Sequence, residues 1–372
     1  MDLKALPGTL SKFAAERFPV AKLNVESMVT KKEVPLHRMS WAYYMGGLAL
    51  FFFTVQLVTG LLLLFYYEPT VSDAHASVEY ISEHVSGGAL IRNMHAWSSS
   101  ALILVVLIHL LTTFAMKAFE KPRELTWVTG FFLLVLAFAF GFTGYLLPWN
   151  QIAVNATKVG LQSIEAFGEY LPGPMAHWPT VVRETIQGEA TVGQATLSRF
   201  YALHVIILPL AMFGLLGIHL LSVQLHGMSR GIDKVAGQVM KKEKFFPFFV
   251  IKDFSVWGIA FLVLFVLAMC LPFDAFFAFP LTEPFNPMGS TPDGIKPEWY
   301  FFFIYYPLEI LPFWVVMLVV HAVGLVVLLS PWVFAKTKRK TLMALAVAAA
   351  VYLVVMTVFG QEIYEMIKGG AH

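Results

Sequence analysis

Four histidines lie inside apolar stretches, where an ionisable side chain is costly and marks a functional position. His95 and His109 are 14 residues apart in one stretch, and His204 and His219 are 15 apart in another. At roughly 100° and 1.5 Å per residue, fourteen steps return to within about 40° of the starting face, about 21 Å further along. Each stretch therefore carries one imidazole near its start and a second, on nearly the same side, near its end. One further apolar stretch separates the two, so both cross a membrane in the same direction. That sets His95 level with His204 and His109 level with His219. Two facing imidazoles in a helical bundle are the ligand set of a bis-histidine haem, and two stacked sites make an electron route across a bilayer. The extra residue between His204 and His219 misaligns an ideal helix, but Pro209 lies between them and can kink or rewind the turn.

Glycines repeat the same period. Gly46 and Gly60 are 14 apart in the apolar stretch before the first histidine pair, and Gly130 and Gly144 are 14 apart in the stretch between the pairs. A haem face needs close backbone approach from helices that do not ligate it, and glycine removes the Cβ in the way. Singly these are ordinary helix-packing glycines, but the shared period favours haem packing. Arg92, three residues before His95, and Arg199, five before His204, sit where haem propionates need cationic partners. A structural ion pair is the other reading of either arginine. His321, alone in its stretch, reads as a hydrogen-bonded core residue. His37, His75, His84, His177 and His372 lie in polar or terminal segments and receive no role.

The elements that must position these residues follow from composition. Of 372 residues, 58% are hydrophobic and 13% charged, with a mean hydropathy of +0.69, against roughly 25% charged in an ordinary globular chain. So few charges cannot coat a soluble surface; so apolar a composition excludes disorder, and a formal net charge of +2 excludes a nucleic-acid binder. The single cysteine, Cys270, excludes an internal disulfide, a CxxCH haem attachment, a zinc-finger site and an iron–sulfur cluster held by this chain alone. A spanning helix needs about 20 apolar residues. Seven stretches qualify, spans A to G, at about 44–67, 95–116, 128–147, 201–223, 254–272, 313–335 and 341–360. The expected fold is an all-α membrane protein, with a four-helix dihaem bundle (A to D, within residues 1–235) followed by a three-helix part (E to G, within 236–372). Segments 148–200 and 273–312 are too long for simple connections and are expected to carry function.

Of the 26 Lys and Arg residues, 20 fall in the N-terminus and the B–C, D–E and F–G connections. By the positive-inside rule the N-terminus is cytoplasmic and the C-terminus, after seven spans, is on the positive side. Lys336–Lys340 (KTKRK) reads as a topology anchor. Residues 1–40 hold no apolar run of the signal-peptide kind, so no cleavable leader is expected.

At this point the residues resemble a known family, cytochrome b of quinol-oxidising cytochrome bc and photosynthetic cytochrome bf complexes. KPRELTWVTG (121–130), GYLLPW (144–149) and VGQATLSRFYALH (192–204) look like the photosynthetic subunit. KPEWYFFF (296–303) resembles its smaller companion subunit, here fused in one chain. The resemblance implies that the four histidines ligate two b-type haems in the pairing above. It also implies that PEWY lines a quinol oxidation site on the positive side, including Pro297, Glu298, Trp299 and Tyr300. The photosynthetic protein carries a cysteine two residues before the first glycine, holding a covalent haem; Tyr44 occupies that position here, so no covalent third haem is expected. IKD (251–253) resembles the respiratory protein, in which Lys252 and Asp253 would sit at the quinone reduction site. His226 is near the family's usual histidine offset and is carried to the same site.

Quinol oxidation releases two electrons and two protons. Glu298, partly desolvated beside Pro297, Trp299 and Tyr300, is expected to have a raised pKa and to accept a proton; Glu309 and Tyr305 are further pocket candidates. The expected activity is quinol–cytochrome c oxidoreductase, with one electron leaving to an external acceptor and the other crossing to a quinone on the negative side, generating proton-motive force. By resemblance the partners are a Rieske iron–sulfur protein, a c-type cytochrome and a second copy in a homodimer, in a bacterial cytoplasmic (inner) membrane. Two alternatives stand beside this reading. A non-bifurcating dihaem anchor linking quinone to a soluble dehydrogenase accounts for the histidines but not for PEWY. A transporter with intramembrane histidines leaves the glycine period unexplained.

Overall fold

Long uncharged runs give backbone amides no water to bond, so in a bilayer they must close their own hydrogen bonds as helices. The computed structural model describes residues 16, 32–229, 241–273, 283–289, 291 and 295–369. In chain order, α1 (Tyr44–Leu63), the short α2 (Ala74–Glu83), α3 (Gly88–Ala115) and α4 (Glu124–Leu146) carry the first three spans. Segment 148–200 is mostly helical rather than loop: α5 (Gln151–Ala166), α6 (Trp178–Gln187) and α7 (Gln194–Ala202). The side chain of Asn150 caps α5 by accepting from the Ala153 amide at 2.8 Å, which satisfies one otherwise unpaired first-turn donor.

From α7 the chain passes through a π-helical turn, Leu203–Ile207, into α8 (Leu208–His226). The second half consists of α9 (Val250–Cys270), α10 (Phe302–Ile310), α11 (Phe313–Leu328), the one-turn α12 (Ser330–Val333) and α13 (Arg339–Gly369). Six of these apolar runs are long enough to cross a membrane, and α11, at 16 residues, is the shorter seventh. Span F, expected as one helix over 313–335, breaks at Leu329. Pro331 disfavours continued helix immediately before it and can only open a new turn. Strands β1 (Glu33–Pro35) and β2 (Lys242–Lys244) pair antiparallel, Glu33 with Lys244, and clip the segment before α1 to the segment before α9.

Helix α1 packs on α3, and α4 packs on α8. The boundary expected at 235/236 lies outside the described residues. Across it, polar side chains fasten the second half to the first. Asn93 donates to the Ala268 carbonyl at 3.2 Å, Trp97 to Leu271 at 3.0 Å and Trp127 to Val327 at 2.7 Å. Lys117, 7% exposed, donates to the carbonyls of Ala335 and Thr337 at 2.7 and 3.0 Å. Segment 283–289 lies over the start of α5: Gln151 donates its amide to Glu283 at 3.0 Å and accepts from the Asn286 amide at 3.0 Å.

Candidate functional site: histidine pairs and an adjoining cavity

His95 and His109 project from α3, His204 from the π-turn and His219 from α8. The rings of His95 and His204 face each other with centroids 6.5 Å apart. A metal–imidazole bond is roughly 2.0–2.1 Å and the nitrogen lies roughly 1.1 Å from the ring centre, so two imidazoles on opposite sides of one ion sit about 6.3 Å apart. The spacing, with ring planes at 68°, would suit the two imidazoles to holding one ion between them. A haem bound here would be held between the His95 and His204 imidazoles as its protein ligands. His109 and His219 are likewise close enough to interact electrostatically.

The π-turn resolves the unequal spacing. The Leu208 amide bonds the Leu203 carbonyl, five residues back, which inserts one residue without rotating the helix beyond it. Pro209, having no N–H, helps to open this turn. Fifteen residues on the second helix therefore span the same register as fourteen on α3.

Each glycine of the repeat meets one histidine. A Cβ on Gly60 would lie 3.3 Å from His95 Cε1, one on Gly144 2.6 Å from His204, one on Gly46 3.3 Å from His109 and one on Gly130 3.1 Å from His219. Immediately before three of them stands a threonine. Thr59 lies 2.9 Å from His95 Nδ1, Thr143 3.1 Å from His204 Nδ1 and Thr129 3.1 Å from His219 Nδ1. Each hydroxyl donates its own proton to the carbonyl four residues back, at 2.7 to 2.9 Å. Its oxygen can accept from Nδ1–H, and for His204 and His219 the carbonyls of Phe140 and Thr126 accept as well; a proton held on Nδ1 leaves Nε2 free as a ligand. The sequence reading missed these threonines, although the repeated Thr-Gly step at 59–60, 129–130 and 143–144 is visible.

A cavity of about 310 Å3 is lined by Gly60, His95, Gly144 and His204 and extends to Glu298 and Tyr300. Burial pushes the Glu298 carboxyl up to about 7. Burial and the neighbouring Glu298 push the Tyr300 hydroxyl well above its usual range, so it remains a donor. The Tyr300 ring lies against Gly141 where a Cβ would otherwise sit. Tyr145, also lining the cavity, keeps a buried hydroxyl with no partner among the described residues; it too was missed, though it follows Gly144 directly. Arg92 lines the cavity and donates to Ser82 at 3.2 Å. Arg199 is exposed and turned onto the carbonyls of Glu184 and Thr185. Pro297 and Trp299 flank Glu298 in the chain without lining the cavity.

Two family profiles match the chain, cytochrome b/b6/petB over residues 29–227 and cytochrome b (C-terminal)/b6/petD over 284–367. The chain belongs to the cytochrome b family. A cytochrome bc complex cytochrome b subunit from Chlorobaculum thiosulfatiphilum is 44% identical over 289 residues, 77% of this chain and 63% of that protein. The chain thus matches less than two thirds of that relative's length. A chain of a hyperthermophilic respiratory Complex III superposes with a TM-score of 0.74 at 25% identity, covering 96% of this chain and 97% of that one. Membership of the cytochrome b family implies b-type haem, and the apolar helices make this cytochrome b an integral membrane protein.

At the opposite end of the cytochrome b bundle, Asp253 lies against Gly47, where a Cβ would be 2.5 Å from its carboxylate oxygens. Its Oδ1 is buried without a partner among the described residues, as are Trp257 Nε1 and His226 Nε2. His226 Nδ1 lies 3.0 Å from the Ser222 carbonyl. Lys252 is exposed and paired with Glu243 at 2.5 Å; sequence reasoning did not single out Glu243. Tyr44 stacks on Phe249 at 4.9 Å and 9°. Away from both ends, His321 Nδ1 donates to the Met317 carbonyl at 2.7 Å and its ring stacks on Phe167, but the residue is exposed on the apolar face of α11 rather than in the core as expected. Tyr305 donates to the Ile295 carbonyl at 3.3 Å, and Glu309 lies close enough to bear on it electrostatically.

Proposed function

We propose that this cytochrome b is the dihaem subunit of a bc-type quinol:cytochrome c oxidoreductase. His95 and His204 hold one haem iron near the positive side, and His109 and His219 hold another near the negative side. Haem bound by these pairs supplies one-electron carriers at two depths, by which one electron of each quinol crosses the membrane to a quinone.

The observation that carries this reading is the cavity shared by the His95/His204 pair, Glu298 and Tyr300. A quinol at its Glu298–Tyr300 end would lie beside both an electron acceptor, the haem held between His95 and His204, and a proton acceptor. Glu298, ionised near neutral pH, takes a proton from the quinol hydroxyl. Tyr300 donates a hydrogen bond to the quinol oxygen and holds the ring in place. Arg92 offers the charge that balances a propionate at the cavity mouth. The second electron leaves through partners outside this chain, a Rieske iron–sulfur protein and a c-type cytochrome, in a homodimeric complex embedded in membrane lipid.

At the negative side, Asp253 and His226 supply buried polar atoms with no partner among the described residues, suited to holding a quinone and passing it protons from the cytoplasm. Lys252, paired with Glu243, stands beside Asp253 as a route from water. Pro297 and Trp299 shape the chain around Glu298.

The deciding experiment is quinol-driven haem reduction in the purified complex with and without a positive-side inhibitor. Reduction of both haems through the negative side when the positive side is blocked, and loss of cytochrome c reduction, is the expected result. Unaltered electron delivery under that block would instead favour a simple dihaem anchor.

A further inference from the structure

Helix α10 follows directly on the turn that holds Trp299 and Tyr300, and it contains Pro307. Proline has no N–H, so the Phe303 carbonyl, four residues back, loses its helical donor. The replacement comes from the last helix: the Tyr352 hydroxyl of α13 donates to the Phe303 carbonyl at 2.7 Å.

A second contact lies three residues further along α10. Tyr306, 3% exposed, sets its ring against Gly360 of α13, in the space a Cβ would otherwise fill. The Lys296 ammonium lies over the same ring, 6.0 Å from its centroid, within reach of a cation–π attraction. Lys296 stands two residues before Glu298, so Tyr306 is tied both to α13 and to the chain leading into the cavity. From α4, Phe138 meets the rings of Tyr300, Phe301 and Phe303 at 6.2, 5.7 and 6.2 Å. The Phe301 amide bonds the Glu298 carbonyl at 2.8 Å. A shift of α10 at Phe303 is therefore carried to Glu298 and Tyr300, which line the cavity.

We infer that α13 positions the quinol site, with Tyr352 and Gly360 as its positioning residues. Tyr352 replaces the helix hydrogen bond that Pro307 removes, and Gly360 seats Tyr306. Neither residue lines the cavity; both act through α10. This rests on the reading of Glu298 and Tyr300 as the groups that meet quinol.

Steady-state quinol oxidation by the purified complex tests this with Tyr352→Phe, Pro307→Ala, the two combined, and Gly360→Ala. Tyr352→Phe removes one hydroxyl and should lower kcat/KM about fivefold, the equivalent of one neutral hydrogen bond, with both haem spectra unchanged. Pro307→Ala supplies an N–H for the Phe303 carbonyl, so in that background Tyr352→Phe should cost less than about twofold. Gly360→Ala must displace the Tyr306 ring and should lower kcat/KM further than Tyr352→Phe does. An unchanged kcat/KM in Tyr352→Phe, even with a lower melting temperature, overturns the inference. So does an equal loss in the Pro307→Ala background, or a Gly360→Ala complex at the wild-type rate. A wild-type complex that oxidises no quinol overturns the quinol-site reading itself.

Discussion

Gly144 and His204 are in such close contact that a Cβ on Gly144 would stand 2.6 Å from the imidazole Cε1. The histidine comes from the π-turn and the glycine from the neighbouring α4, so each helix limits the position of the other. The four glycine contacts are unequal, and that inequality has measurable consequences.

Gly144→Ala must push His204 off its position, whereas Gly60→Ala, with 3.3 Å to His95 Cε1, requires a displacement of a few tenths of an ångström. Overpacking typically costs about 1–3 kcal/mol, roughly five- to 150-fold in affinity. Reduced-minus-oxidised spectra per chain should show Gly144→Ala losing about half the haem while Gly60→Ala retains most of it. Equal retention in both variants would contradict the contact ranking.

Quinol oxidation should depend on pH through Glu298. Its carboxyl titrates at about 7 because it is buried; below that pH it already holds a proton and cannot accept one. The rate should therefore rise as pH increases through neutrality. In Glu298→Gln that rise should vanish and the rate fall by about 100-fold or more, with both haem spectra unchanged. Stopped-flow haem reduction across pH reads both effects.

The π-turn at Leu203–Ile207 absorbs one residue. Deleting Ile206, 54% exposed, should convert the turn to ordinary α-helix and leave two haems per chain. Deleting Leu215, within α8, should rotate His219 by roughly 100° away from His109 and lose one haem. A pyridine haemochrome count distinguishes the two deletions.

Lys117 ties the end of α3 to the turn after α12 through two carbonyls, with Glu120 3.7 Å from its ammonium. Lys117→Met keeps the stem and removes the donors, leaving without their lysine partner the carbonyls of Ala335, an exposed residue, and of Thr337, a partly buried one, at about 1 kcal/mol each. The detergent-solubilised protein should melt several degrees lower, with its haem spectra unchanged before melting.

Much of this was legible from residue types and spacing. Composition dictated a bilayer protein, hydropathy located the seven spans, though α3 begins at Gly88 and α13 runs on to Gly369, and the common 14-residue period matched Gly46 and Gly60, Gly130 and Gly144 with the helices they face. Local chemistry also marked Pro209 as the place where the longer histidine spacing is absorbed. Segment 148–200 was less legible: α5, α6 and α7 are short and amphipathic, and their apolar faces acquire meaning only against Leu146, Phe200 and the rest of the core they bury.

Periodicity within one helix determines which residues share a face, because the α-helix has a fixed rotation and rise per residue; that is why His95 could be set opposite His204, and His109 opposite His219, from the chain alone. It carries no information about how two helices are rotated against each other. Only the tertiary structure decided that Thr59, Thr129 and Thr143 meet Nδ1 atoms, that Arg92 opens on the cavity while Arg199 turns away, and that Glu298, about 200 residues after His95, shares a cavity with it. Those relationships depend on side chains brought together across helix interfaces, where packing sets distances that spacing along the chain does not contain.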